Sequence, residues 1–124
     1  MLNIIRNMTF VIFLAVPQAA SAEAFLYMAK EDGCMWCARW HAEVGPGYPK
    51  TPEGRLAPLR QFDLKGEHPR GIDFSQKVHF SPTFILVENG AEVGRIEGYP
   101  GADHFWGLLE MIFEQSDINL DTLE

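Results

Sequence analysis

The sequence predicts an α/β domain in which a four-stranded mixed β-sheet carries helices on both faces. Three observations lead to this prediction. A short apolar strand over 24–29 runs into a helix over 34–44, a second strand over 59–64 follows a crossover, and Asn89-Gly90 joins two further strands before a final helix. A crossover makes two strands parallel, and Asn-Gly favours a tight hairpin. The predicted sheet therefore has one parallel pair and an antiparallel hairpin.

The first 22 residues have the pattern of a secretory signal peptide. The cation Arg6 precedes an apolar run over 8–16, and Ala20-Ser21-Ala22 forms a small-x-small cleavage site. The apolar run is shorter than the about 20 residues that span a bilayer, which disfavours an uncleaved anchor. We therefore expect export to the periplasm, with residues 1–22 removed and residues 23–124 forming a single domain with one core.

The charge of the predicted mature chain is strongly acidic. Without Arg6, the chain has nine Lys and Arg side chains against seventeen Asp and Glu side chains, a formal charge of -8. Nucleic-acid binding proteins carry the opposite sign, so we expect no nucleic-acid partner. We also expect a monomer.

Cys34 and Cys37 are the only cysteines of the chain. Cys34 lies where the predicted helix begins, and the free N–H groups and positive dipole end at that position stabilise a thiolate. Cys37 follows one turn later on the same face. A disulfide across two residues closes a ring too short to stabilise the fold much, yet it can cycle with the dithiol. The spacing therefore favours redox chemistry over a static disulfide.

The boundaries of the other elements follow from turn residues and apolar spacing. Gly33 ends the first strand, Gly45-Pro46 ends the helix after it, and residues 45–58 are predicted as a long ordered loop. A polar turn over 65–71 precedes one or two helical turns over 72–78. The hairpin strands are 83–88 and 91–97. Asp103 is the predicted N-cap of a helix over 103–115, and we expect residues 116–124 to be frayed.

The last helix has an apolar stripe with helical spacing. Its members, which are predicted to face the core, are Phe105, Leu108, Leu109, Ile112 and Phe113. Taken in order, the elements are strand, helix, strand, short helix, hairpin and helix. With a right-handed crossover between the first two strands, this order is the thioredoxin fold.

Two motifs in this order resemble the thioredoxin family: Cys34-Met35-Trp36-Cys37 at the helix start, and Ser81-Pro82-Thr83 before the hairpin. The resemblance implies that the Ser81-Pro82 peptide bond is cis and that Pro82 lies against the active-site disulfide. Ser81 would then offer its backbone N–H and C=O to a substrate chain. Trp36, between the two cysteines, is expected to be exposed and to contact the partner.

Further segments resemble the periplasmic SoxS-type thioredoxins of bacterial sulfur-oxidation (Sox) systems. These are Trp40, residues 45–55, 57–60 and 94–101, and Phe105-Trp106. The resemblance implies a thiol-disulfide reductase that reactivates the blocked cysteine of a Sox sulfur-carrier protein. The implied electron donor is a membrane protein that carries thiol equivalents, because the sequence has no flavin or nicotinamide motif and no cofactor is expected.

The sequence departs from the family pattern at two places. The dipeptide Met35-Trp36 lacks the histidine that several oxidants have, which disfavours a strongly oxidising couple. Met28 stands where cytosolic thioredoxins have a buried aspartate, so Glu31, Asp32 or water would have to act as the base for Cys37.

Two alternative functions remain open. Cys34, Cys37 and His41 have a Cys-x2-Cys-x3-His spacing that a copper or zinc carrier could use, although a closed zinc site needs a fourth ligand. We therefore expect no metal and place His41 on the helix surface. The second alternative is a reductant for cytochrome c maturation, and the sequence does not separate it from sulfur-carrier repair.

Overall fold

The computed structural model describes residues 12, 14–16 and 23–123. The cleavage site and most of the predicted signal peptide lie outside these residues, so the signal peptide stays a prediction. No helix within the described part of the chain has the length and apolar character needed to cross a membrane. The helices and strands are β1 Ala24–Lys30, α1 Met35–Glu43, α2 Pro52–Leu56, β2 Leu59–Asp63, β3 Thr83–Glu88, β4 Ala91–Glu97 and α3 Ala102–Glu114.

The four strands form one mixed sheet in the order β2-β1-β3-β4. β1 is parallel to β2, whereas the β1–β3 and β3–β4 pairs are antiparallel. The hairpin between β3 and β4 turns at Asn89 and Gly90, whose φ angles of 51° and 80° are those that an Asn-Gly turn provides. The predicted sheet, its central strand and its hairpin are confirmed.

One face of the sheet packs against α1 and α3. The fully buried Trp40 of α1 lies at the centre of this core, with ring centroids 5.0 Å from Phe84 of β3 and 5.7 Å from Phe105 of α3. Aromatic pairs at these distances add stabilisation beyond the burial of their area. The largest apolar cluster of the described chain is therefore directly behind the helix that begins at the cysteines.

The opposite face is covered by the irregular segment 65–80, and the helix predicted over 72–78 is wrong. Within the described residues, no helix contributes to the apolar cluster on this face. The apolar residues Ile72, Phe74 and Val78 are spaced by even numbers, which suits an extended chain lying on a sheet. Asp73 forms a parallel bridge with Ala91 at the edge of β4. Hydrogen bonding to β4 thus replaces the helix that was predicted for this face.

Two other boundaries differ from the predictions. The segment predicted as a loop over 45–58 contains α2 and a 3-10 turn at Tyr48–Lys50, and the Thr51 hydroxyl caps α2 by accepting from the Gly54 N–H at 3.1 Å. Gly101, and not Asp103, is the N-cap of α3. Asp103 lies in the first turn, where a carboxylate interacts favourably with the helix dipole.

The apolar stripe of α3 is confirmed except at one position. Phe105, Leu109, Ile112 and Phe113 are buried, whereas Leu108 is 40% exposed. The predicted frayed tail also contains a 3-10 turn at Leu120–Leu123.

Candidate active site

Cys34 and Cys37 are joined by a disulfide with a Cα–Cα distance of 5.3 Å. β1 ends at Lys30, and the chain then turns through Gly33, whose φ of 75° is in the left-handed region that glycine adopts without strain. Cys34 is the N-cap of α1, and its Sγ accepts a hydrogen bond from the Cys37 N–H at 3.1 Å. An N–H donor at this position would favour the Cys34 thiolate in the dithiol form.

The two sulfurs differ in exposure. The Cys37 side of the disulfide is buried, with 5% of the residue exposed, while Cys34 is partly exposed at the open end of α1. Met35 and Trp36 between them are 71% and 46% exposed. Of the two cysteines, Cys34 is therefore the more accessible to solvent, and two exposed apolar side chains follow it in the chain.

The chain before β3 and the chain after β4 lie at the same end of the sheet as the disulfide. Thr83, the first residue of β3, pairs with Ala29 near the end of β1 and with Glu97 at the end of β4. The preceding peptide bond, Ser81-Pro82, is cis. The Pro82 carbonyl accepts a 2.7 Å hydrogen bond from the Gly98 N–H, so the two turns are tied together.

A cleft of about 280 Å³ opens between these two turns and is lined by Phe80, Ser81, Glu97 and Gly98. Thr83 Oγ1 donates to the Phe80 carbonyl at 2.6 Å and fixes the turn that presents Ser81. The Phe80 side chain is 55% exposed. The pairing of an extended substrate segment with the backbone of Ser81 stays a prediction.

The position that holds an aspartate in cytosolic thioredoxins is apolar here. Met28 is fully buried within β1. Of the two acidic side chains before Cys34, Glu31 forms an ion pair with Lys65 at 3.2 Å and Asp32 is exposed. The structure offers no carboxylate at the Met28 position, and the assignment of Glu31, Asp32 or water as the base for Cys37 stays a prediction.

His41 makes a hydrogen bond that the sequence did not indicate. Its Nε2 is 3.0 Å from Gln61 Oε1 of β2. Across the described residues there is no group of three or more His, Cys, Asp or Glu side chains that could hold a metal ion. His41 therefore lies, as predicted, at the helix surface, where it links α1 to β2.

Arg39 and Glu43 of α1 and Tyr99 in the turn after β4 form a network that sequence reasoning missed. Arg39 Nε donates to Glu43 Oε1 at 3.1 Å, and the Tyr99 hydroxyl donates to Glu43 Oε2 at 2.5 Å. The guanidinium of Arg39 also lies 5.4 Å from the centre of the Trp36 ring, within the range of a cation–π contact. The Glu43 carboxylate is therefore held from two sides.

The network perturbs the ionisation of its members. The hydrogen bond from Tyr99, followed by that from Arg39, holds the pKa of the Glu43 carboxyl below its usual value. Burial, with the Glu43 hydrogen bond added to it, raises the pKa of Tyr99 to about 12. Near neutral pH the network therefore consists of a carboxylate, a guanidinium and a neutral phenol.

Comparison with known proteins decides the family. No protein-family model matches the chain, and no curated protein does either. Among solved structures, the chain matches the periplasmic thioredoxin SoxS from Paracoccus pantotrophus, in its reduced form, with 44% sequence identity and a TM-score of 0.73. The match covers 75% of this chain and 98% of that protein.

The chain belongs to the SoxS-type thioredoxins. The resemblance seen in the sequence and the predicted thioredoxin fold are confirmed. As a SoxS-type thioredoxin the chain is a thiol-disulfide oxidoreductase with Cys34 and Cys37 as its Cys-x-x-Cys pair. In the structure this pair is in the disulfide state.

Proposed function

We propose that this chain is a periplasmic reductase that restores an oxidised cysteine of a sulfur-carrier protein in a sulfur-oxidation pathway. The observation that carries the proposal is the difference between the two sulfurs: Cys34 is partly exposed at the N-terminus of α1, and Cys37 is buried behind it. Such an arrangement separates an attacking thiol from a resolving thiol. The relationship to SoxS supports the choice of pathway.

The reaction is an exchange of two thiols for one disulfide. The Cys34 thiolate attacks the partner cysteine sulfur of the S–S bond that blocks it, and the blocking group leaves as a thiol or persulfide. Cys37, as thiolate, then attacks Cys34 Sγ, and the partner leaves with a reduced cysteine. Two electrons pass from the dithiol to the partner, and the disulfide between Cys34 and Cys37 is the oxidised product.

The partner chain is held by backbone and apolar contacts. Ser81, presented by the turn before β3, offers its N–H and C=O to an extended segment, and Pro82 fixes the orientation of that turn. Trp36 covers the partner from the side of α1. The exposure of Trp36 and Phe80 supports this arrangement, because both side chains are open to contact with a partner.

The proposal also includes export of the chain and re-reduction of its disulfide. The signal peptide at residues 1–22 directs export, and the single domain of residues 23–124 acts as a monomer in the periplasm. A membrane protein that carries thiol equivalents reduces the disulfide after each turnover. The chain needs no cofactor of its own, because both electrons reside on the cysteine pair.

The test uses the mature protein and a sulfur-carrier protein of the same organism whose cysteine is blocked as a mixed disulfide with glutathione. We expect reduced wild-type protein to release the carrier thiol, as counted by alkylation, and to act more slowly on an oxidised apocytochrome Cys-x-x-Cys-His peptide. The Cys34→Ser variant is the matched control and should release none. Faster reduction of the apocytochrome peptide would overturn the assignment of the partner in favour of cytochrome c maturation.

A further inference from the structure

Hydrogen bonds from β3 and from the turn after β4 hold the turn over residues 80–82, called the Ser81 turn below. The Thr83 hydroxyl donates to the Phe80 carbonyl at 2.6 Å, and the Gly98 N–H donates to the Pro82 carbonyl at 2.7 Å. The carbonyl before Ser81 and the carbonyl after it are therefore both bound within the protein.

The hydroxyl of Thr83 is not needed to pack β3. Thr83 is fully buried at the start of this strand. Valine has nearly the same shape and a high preference for strands, and it would fill the position without a polar group to withdraw from water. The hydroxyl is therefore explained by the bond it donates to the Phe80 carbonyl of the Ser81 turn.

The chain before the Ser81 turn is held by Arg95 of β4. Its Nη1 donates to the Lys77 carbonyl at 3.1 Å, and its Nη2 donates to the Gln76 carbonyl at 2.9 Å. Glu92 binds the same guanidinium, and the side chains of Arg95 and Glu92 are only 7% and 5% exposed. A guanidinium donates in fixed directions to several groups at once. This segment is therefore anchored although it has no regular secondary structure.

The backbone of Ser81 has no partner within the described residues. Neither its N–H nor its C=O forms a hydrogen bond there, although the residue is partly buried. Backbone groups that are withdrawn from water need a partner. Because ordering a loop on binding costs free energy, a turn that is fixed beforehand presents these two groups at a lower cost.

We propose that Thr83 and Arg95 are positioning residues for substrate binding, because their side chains hold the Ser81 turn in the conformation that pairs with an extended partner segment. The inference rests on the proposed pairing of the partner with Ser81, and it adds two buried side chains that determine how strongly the partner binds. Thr83 acts through the Phe80 carbonyl, and Arg95 acts through the two carbonyls before the turn. Neither side chain takes part in sulfur exchange.

The test compares two hexapeptides of the same sequence that carry a central cysteine as a mixed disulfide with thionitrobenzoate. In one of them the backbone nitrogens of the cysteine and of its two neighbours are methylated, which removes N–H groups that strand pairing uses. Attack of Cys34 on the peptide sulfur releases thionitrobenzoate, and attack of Cys37 on Cys34 then frees the peptide thiol. Ellman's disulfide, which has no peptide backbone, is the reference substrate. Each rate is measured with the reduced mature protein.

We expect the wild-type protein to prefer the unmethylated peptide. Thr83→Val should lower kcat/KM for that peptide, relative to Ellman's disulfide, by about fivefold and through KM, the size of effect that one lost hydrogen bond gives. The preference over the methylated peptide should fall with it. Thr83→Ser keeps the hydroxyl and should restore both values. Arg95→Lys keeps the charge beside Glu92 but loses the planar set of donors, so it should shift both values in the same direction as Thr83→Val.

The matched control is Thr122→Val. The Thr122 hydroxyl also donates to the carbonyl three residues before it, that of Asn119, at 2.8 Å, but it lies in the 3-10 turn near the C-terminus. Its removal should leave the ratio between the peptide and Ellman's disulfide unchanged. Urea unfolding of each variant establishes that the protein is folded under the assay conditions.

An undiminished preference for the unmethylated peptide in Thr83→Val would overturn the inference, and so would a Thr83→Ser variant that behaves like Thr83→Val. A wild-type protein that does not distinguish the two peptides would contradict the pairing at Ser81 and the inference with it. A protein that prefers the unmethylated peptide, but does not reduce the blocked sulfur-carrier protein, would instead contradict the proposed function. The two failures are therefore distinguishable.

Discussion

The hydroxyl of Tyr99 donates a 2.5 Å hydrogen bond to the Glu43 carboxylate, which belongs to a residue 56 positions earlier in the chain. This contact joins the turn after β4 to the helix that begins at the cysteines. It raises the pKa of Tyr99 and lowers that of Glu43, so both groups report on its presence.

Tyr99 should titrate later than an exposed tyrosine. We expect its pKa to be about 12, and we expect Glu43→Gln to lower it part of the way toward the usual value of 10, because burial, the larger cause, remains. The measurement is the ultraviolet absorbance of tyrosinate against pH, with Tyr99→Phe identifying the component. An unchanged Tyr99 titration in Glu43→Gln would contradict the contact.

The contact also sets the pH range in which it stabilises the fold. Because the folded-state pKa of Glu43 is lowered, its contribution is present above about 4.5 and is lost as pH falls. Because the pKa of Tyr99 is raised, its contribution is complete below about 10 and is lost as pH rises through about 12. Tyr99→Phe should therefore lower the free energy of unfolding most between these limits.

The order of attack at the disulfide can be tested by trapping. Cys37→Ser should accumulate a mixed disulfide between Cys34 and the partner, because no buried thiol remains to resolve it. Cys34→Ser should form no adduct and show no exchange. Non-reducing electrophoresis with the glutathione-blocked carrier protein distinguishes the two. Accumulation of the adduct in Cys34→Ser would reverse the roles of the thiols.

The segment that replaces a helix on the second face depends on Arg95 of β4. Its guanidinium donates to Glu92 and to the carbonyls of Gln76 and Lys77, and both members of the ion pair have side chains that are less than a tenth exposed. Arg95→Gln should lower the free energy of unfolding by about 3 kcal/mol, because it leaves a buried carboxylate without its partner. Urea unfolding with a constant m-value measures this loss.

The control for Arg95 is Arg70→Gln, which breaks the exposed pair with Glu67 and should cost no more than about 0.5 kcal/mol. Burial raises the pKa of Glu92, but the hydrogen bonds from Arg95 and Ser75 outweigh it and hold that pKa below 4.5. The contribution of the pair is therefore present above this pH and is lost as pH falls. Equal losses of unfolding free energy in Arg95→Gln and Arg70→Gln at neutral pH would be evidence against a stabilising role of the Arg95–Glu92 pair.

Two helix glycines should respond to alanine in opposite directions. A Cβ at Gly54 of α2 would lie against the carbonyl of Tyr48 and 2.9 Å from Pro49 Cα, so Gly54→Ala should destabilise the fold by about 1–3 kcal/mol. A Cβ at Gly107 of α3 meets nothing within 4 Å, so Gly107→Ala should stabilise it by up to about 1 kcal/mol. Thermal unfolding of both variants shows whether each substitution stabilises or destabilises the fold. A stabilising Gly54→Ala would be incompatible with the packing described for α2.

Local features of the chain were predictable from the sequence because their causes are local. The Cys-x-x-Cys helix start depends on residues 33–37, and the hairpin depends on Asn89-Gly90. The spacing of Arg39 and Glu43, four residues apart on a helix, could also have indicated their ion pair. Pairs at this spacing are common on exposed faces, so the spacing alone gave no functional meaning.

The features that the sequence did not predict correctly depend on contacts between residues that are far apart in the chain. The segment 72–78 is irregular and not helical because Arg95, about 20 positions later, binds the carbonyls of Gln76 and Lys77 and because Asp73 bridges to Ala91 of β4. Glu43 gains its role from Tyr99, which only the fold brings near. Short elements such as α2 carry too few residues to give a periodic signal.

The reduction potential of the Cys34–Cys37 pair tests the central claim most directly. Mature protein is equilibrated in thiol buffers of defined potential, and its free thiols are counted by alkylation. A reductase whose disulfide is reduced by a membrane protein should have a reduction potential of roughly -270 to -200 mV, as thioredoxins and glutaredoxins do. A potential near about -120 mV would identify an oxidant and would contradict the repair of a sulfur-carrier protein.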